Sequence, residues 1–213
     1  MRPMTLIGAL VLSALLTPGA PNAQWGTVPT ITIAAPAQDP RIPLALEAVA
    51  FWNRQFAEVG TPFRLGVVTQ TTDTLPIDYL TRLSAAVLNR EPLPDVPARV
   101  RQIPGDILLA LSDGDFISFA RRLPSGARVV VGIRTDRWPP LSLPNVGRNV
   151  IAHELGHAIG LSHNDDPTTL MCGRPALCRR AVFQSDVARF FPLTQADKAL
   201  LLRLYPPTWT PTR

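Results

Sequence analysis

The chain is nearly without lysine: Lys198 is the single one among 21 basic residues, so its positive charge is almost all guanidinium. The formal net charge is +5, yet adjacent arginines occur only as the pairs Arg121-Arg122 and Arg179-Arg180. A nucleic-acid surface carries a dense basic stripe with interleaved aromatics. With aromatics at 7% and no such stripe, no nucleic-acid partner is expected. Long hydrophobic runs are also missing. The apolar stretch at residues 4–16 falls short of the roughly 20 residues of a membrane span, and nothing later approaches it. Glycine, at 13, is outnumbered by 23 prolines and has no regular period, which excludes a collagen-like chain and predicts many loops and helix stops. Cysteines number two and histidines three.

What is present suffices for a core. Hydrophobic residues make up 46% and charged residues 17% of 213, which excludes a wholly disordered chain and fits one domain. Residues 1–23 begin with Arg2, continue with the apolar stretch and end with Pro18, Gly19 and small residues, the layout of a secretory signal peptide. Cleavage after Ala23 or Ala20 is expected to release a secreted or periplasmic domain spanning residues 24–213, without a membrane or lipid anchor and monomeric. In such a compartment Cys172 and Cys178, close together in CGRPALC, point to a local disulfide, with two buried thiols as the alternative.

Alternation predicts a strand at residues 30–34. Apolar residues at helical spacing predict a helix over 43–59, ended by Gly60. A second strand is expected at 63–68 and a second helix at 77–90. The proline- and arginine-containing stretch 91–104 reads as a surface excursion, making 71–104 a helical and Pro-rich insertion. Residues 106–111 and 129–133, rich in aliphatic and β-branched residues, predict two further strands. Between them lies Ser112-Asp113-Gly114-Asp115. Two carboxylates fall well short of a calcium ligand set, so this reads as a turn, and Ca2+ is only weakly supported. A final helix spans 194–205, with Thr194 as N-cap, Asp197 at the third helical position, and Pro206-Pro207 as the stop. The pattern predicts an α+β fold.

The three histidines all fall in one window, HELGHAIGLSH, residues 153–163. On a helix, positions four apart share a face, so His153 and His157 can present nitrogens to one metal with Glu154 beside them. Gly160 tolerates positive φ, so the chain can turn and return His163 as a third ligand. Three neutral imidazoles leave a fourth tetrahedral position for water, the arrangement of a catalytic zinc site. HExxH alone is a short pattern; the extended HExxHxxGxxH is far more specific.

This segment resembles, in full, the zinc signature of the metzincin clan of zinc endopeptidases. Met171, eight residues after His163, is similar to the clan's methionine-containing turn beneath the zinc. With Pro167 and the final helix, the likeness is greatest to the matrixin branch, where Asp197 falls at a carboxylate that ties that helix to the Met-turn. The resemblance is sharp over residues 148–171, fair over 193–205, and architectural over 30–133. It implies a metzincin-like zincin domain: a small mixed sheet, an active-site helix and a C-terminal helix. It further implies one catalytic Zn2+ held by His153, His157 and His163, Glu154 as general base, and a polypeptide substrate. Met171 would be a hydrophobic floor rather than a ligand. An edge strand would pair with the extended substrate, with residues 129–133 as the candidate, although VVVGI fits an interior strand equally well. The segment after Met171 would wall the pocket beyond the cut.

Some positions depart from the branch. Asn164 stands where matrixins carry Ser, and Cys172 replaces the aromatic common after the Met. No further histidine exists for a second, structural zinc, and both cysteines follow the zinc motif, so no cysteine-switch zymogen is expected. Two other readings use the same residues: a secreted zinc-binding interaction protein with little turnover, and a hydrolase of non-peptide amides. Glu154 argues against the former, because a purely structural zinc has no need of it.

Overall fold

The computed structural model describes residues 24–124, 126, 128–137, 142–173 and 187–212. The expected signal peptide and Cys178 lie outside the described residues. In chain order the elements are β1 (Ile31–Ala34), α1 (Ile42–Glu58), β2 (Val68–Thr71), α2 (Ile77–Asn89), α3 (Ala98–Gln102), β3 (Ile107–Leu111), β4 (Phe119–Arg122), β5 (Val129–Ile133), α4 (Pro144–Ala158) and α5 (Gln195–Leu204). The strands form one mixed sheet of order β2-β1-β3-β5-β4, parallel except for β4.

The unbroken apolar runs ILLAL and VVVGI become β3 and β5 because the centre of this sheet is covered on both faces. Ile107, Leu109, Leu111, Val129, Val131 and Ile133 face a core shared with α1, α4 and α5. Leu108, Ala110 and Val130 face a second core with Tyr79, Leu80 and Leu83 of α2 and Val100 of α3. In α1, Ala45, Ala48, Val49, Trp52 and Phe56 form a buried stripe at helical spacing. Its end is a Schellman turn: Gly60, at φ +82°, donates to the Ala57 carbonyl, and the Thr61 N–H reaches back to Phe56. Among the described residues, no helix is long and apolar enough to cross a membrane.

The architecture is the expected α+β one, with a small mixed sheet, a histidine-bearing helix and a C-terminal helix. Three details differ. The second strand is β2 at Val68–Thr71, not residues 63–68. Phe63 and Leu65 are buried, 0% and 3% exposed, but Phe63 packs flat on Tyr205, with centroids 3.8 Å apart, and lies outside the sheet. Their alternation reported burial, not pairing. Residues 129–133 are an interior strand, hydrogen-bonded to β3 and β4. The edge strand beside it is β4, which sequence reasoning missed inside the loop after Leu111. Its FARR has a single large apolar residue, Phe119, which covers Gly132 so closely that a Cβ there would lie 2.6 Å from the ring. Finally, residues 91–104 contain α3, whose Val100 is buried, with Ile103 just after it, so part of that excursion plugs the second core.

The 112–115 segment is a turn, with the Gly114 N–H donating to Ser112 Oγ at 3.0 Å. Its aspartates face guanidinium groups rather than an open cation site. Asp113 pairs with Arg137 at 3.0 Å, and Asp115 pairs with Arg134.

Candidate metal centre

Helix α4 carries the first two histidines and starts with Pro144 in its first turn. Buried polar residues anchor it. Asn149, fully buried, donates to the Asn145 and Arg189 carbonyls and accepts the Phe191 N–H, strapping the 187–191 segment to the helix. Arg148 bonds Glu47 of α1 at 2.5 Å and the Asn145 side chain at 2.7 Å. Sequence reasoning missed Asn145 and Asn149. Their signal was two asparagines four apart just upstream of the first histidine.

The end of α4 repeats the Schellman geometry. Gly160, at φ +103°, donates to the His157 carbonyl, and Leu161 N–H reaches Gly156 at 2.9 Å. Two aromatic side chains take up terminal carbonyls that the helix itself leaves over. Trp25 Nε1 donates to Ala158 at 3.0 Å, and the Tyr205 hydroxyl donates to Ile159 at 2.9 Å. Midway, Trp52 of α1 donates to the Ala152 carbonyl at 2.8 Å. The helix is thus held along its length by groups that also build the core.

These supports bring the three histidines together. The Nε2 atoms of His153 and His157 are 3.1 Å apart, those of His153 and His163 3.2 Å, and those of His157 and His163 2.9 Å. His153 Nδ1 lies 2.7 Å from the Leu170 carbonyl, and His157 Nδ1 lies 2.8 Å from that of Leu161. A carbonyl only accepts, so these Nδ1 atoms carry the protons and the Nε2 atoms present lone pairs. Burial pushes His157 down to about 4, helped by neighbouring His163 and opposed by the Leu161 carbonyl, which keeps the ring neutral at pH 7. Lone pairs this close repel unless a cation sits between them. Nitrogens about 2.0–2.1 Å from a tetrahedral zinc stand about 3.4 Å apart, within a few tenths of the observed spacing. The donor set therefore fits zinc. It is the one group of three or more such side chains, among the described residues, close enough to share an ion.

Glu154 follows His153, and both are buried; His157 is half-buried and His163 exposed. Met171 is fully buried against α4. A Cβ on Gly156 would lie 2.5 Å from Met171 Sδ and 2.9 Å from Trp52 Cζ2, so this helix face meets the methionine only because it has no side chain there. Asp197 sits at the third position of α5 in a reciprocal capping box with Thr194. It reaches toward the centre through Asn164, whose Nδ2 donates to it at 3.0 Å. Cys172 is buried just beyond Met171; the expected bond to Cys178 falls outside the described residues.

No protein-family model matches the chain, and no curated protein matches it. Among solved structures it is similar to archaemetzincin from Methanopyrus kandleri, at 22% identity and a TM-score of 0.46, over 84% of this chain and 96% of that one. It is also similar to myroilysin, at 12% identity and a TM-score of 0.41, over 88% and 87% of the two chains. The residues of HELGHAIGLSH themselves bring together three histidines that could hold one metal ion, on an α+β frame.

Proposed function

We propose that the chain is an exported, monomeric zinc-dependent endopeptidase in which Glu154 is the general base. The observation that carries the reading is the convergence of three Nε2 lone pairs within 3.2 Å, with two of the rings tied back through Nδ1 to carbonyls. Exposure of His163 opens the centre to solvent on one side, as a catalytic ion requires and a closed structural ion does not. Zinc, when bound there, supplies a Lewis acid that acidifies water and polarises a carbonyl. Glu154, next to His153 and outside the ligand set, takes a proton from the attacking water and delivers it to the leaving amine nitrogen. The outer position of β4, with no further strand beside it among the described residues, supports backbone pairing with an extended polypeptide. Met171, Pro167 and the final helix favour the matrixin branch within the clan. The layout of residues 1–23 supports export, and export favours a Cys172–Cys178 disulfide.

The test compares purified wild type and Glu154→Ala, each with its zinc content measured, on an unstructured protein substrate. Wild type is expected to cut and to lose activity with a chelator, while the variant retains zinc and cuts at least a hundredfold more slowly. A zinc-loaded variant as active as wild type would remove Glu154 from the mechanism, and a zinc-loaded wild type without any cleavage would favour a binding protein.

A further inference from the structure

Two of the three histidines ride on helix α4, whereas His163 is exposed and lies beyond the Gly160 turn. We propose that Asn164, one of the residues at which this chain departs from the matrixin pattern, is a positioning residue for His163 and works through the buried carboxylate of Asp197. The inference rests on the zinc-site reading above.

Every hydrogen-bonding end of Asn164 is engaged. Its backbone N–H donates to the Met171 carbonyl at 2.9 Å, and its carbonyl accepts the Gly173 N–H at 2.9 Å, so it is clamped to the Met-turn on both sides of Cys172. Its Oδ1 accepts from the Asp166 N–H and the Thr169 hydroxyl, both at 3.0 Å, closing the turn that follows. Its Nδ2 donates to Asp197 Oδ2 at 3.0 Å. Two donors at one end and a carboxylate at the other leave a single orientation for the amide. The carboxylate is itself immobilised, 6% exposed and bound by the Thr194 N–H at 2.9 Å. The clamp also sets Gly173 against the third ligand: a Cβ on Gly173 would lie 2.7 Å from both Cβ and Cγ of His163. Asn164 therefore links helix α5, the Met-turn and the backing of the His163 ring at one point.

The chemistry of the pair dictates the test. Asn164→Asp keeps the shape of the side chain but sets a second carboxylate against Asp197, and Asn164→Ser removes the donor that spans the gap. Zinc affinity, by competition with a chromophoric chelator, and the visible absorption of the Co2+-substituted protein are measured for wild type, Asn164→Asp and Asn164→Ser. The single variants are expected to bind zinc 10- to 100-fold more weakly, the usual loss for a group supporting a metal ligand. Their Co2+ bands should shift as well. If Asn164→Asp does not fold, Asn164→Ser carries the test. Single variants with wild-type affinity and unchanged Co2+ bands would overturn the positioning role alone. A wild-type chain that takes up no zinc would overturn the site reading and this inference with it.

Discussion

Removal of the Tyr205 hydroxyl isolates one support of the histidine-bearing helix α4. Tyr205 is fully buried, its ring stacked on Phe63 at 3.8 Å and edge-on to Phe56 at 5.9 Å. Tyr205→Phe keeps those ring contacts and deletes only the oxygen, which donates to the Ile159 carbonyl at 2.9 Å and accepts the Trp25 N–H at 3.4 Å. Phenylalanine leaves a helix-terminal carbonyl with one donor fewer in a site water does not reach. The expected loss is about 1–2 kcal/mol, or about 2–8 °C in Tm for a domain of this size. The hydroxyl also sets an alkaline signature. Burial raises its pKa above 10, against the Trp25 N–H and the Arg122 charge, which lower it. A group whose folded pKa is raised contributes stability that is complete below its unfolded pKa and is lost as pH rises beyond it. Stability should therefore fall above pH 10 in wild type and fall less steeply in the variant, where Tyr79, also raised by burial, is the one tyrosine left. Urea denaturation of the zinc-saturated protein at pH 7 and in steps from pH 9 to 11 measures both effects. A variant as stable as wild type at pH 7, or with the same alkaline slope, would refute the assignment of Tyr205 as a cap on α4.

Other outcomes follow from the same contacts. Gly156→Ala would gain about 1 kcal/mol from helix propensity alone. The 2.9 Å approach to Trp52 and 2.5 Å approach to Met171 convert that to a net loss of about 1 kcal/mol, read by urea denaturation, so a stabilised variant would contradict the packing. Stripping the metal should lower stability by about 4 kcal/mol relative to protein at a thousandfold excess of zinc over its Kd, and scanning calorimetry with and without chelator reports it. Exported protein should offer no alkylatable thiol before reduction; two labelled cysteines by intact mass would rule out the proposed bond.

The convergence of the three histidines was legible because it obeys local rules. Four residues make about one helical turn, and a glycine at positive φ is the standard way out, so His153, His157, Gly160 and His163 specify most of their geometry within eleven positions. The same holds for the Gly60 end of α1 and the Thr194–Asp197 box of α5, where donor and acceptor are three residues apart. Beyond that range, apolar patterning says which side chains leave water but not what they meet. It marked Phe63 and Leu65 as inward-facing without revealing that the paired strand begins at Val68. It left VVVGI undecided between edge and interior until β4 paired with it.

The supports of the site are the extreme case. Trp25 meets Ala158 across 133 positions, Arg148 meets Glu47 across 101, and Asn164 meets Asp197 across 33. Nothing in the spacing of such residues encodes their contact, because a hydrogen bond between distant segments forms only once the chain between them has folded. The sequence by itself determined which three histidines converge and which turn carries the third of them. Tertiary structure alone decided which strand lies beside β5, what caps the helix, and what Asn164 meets next to the exposed His163, since each is a meeting of surfaces brought together by burying the core between them.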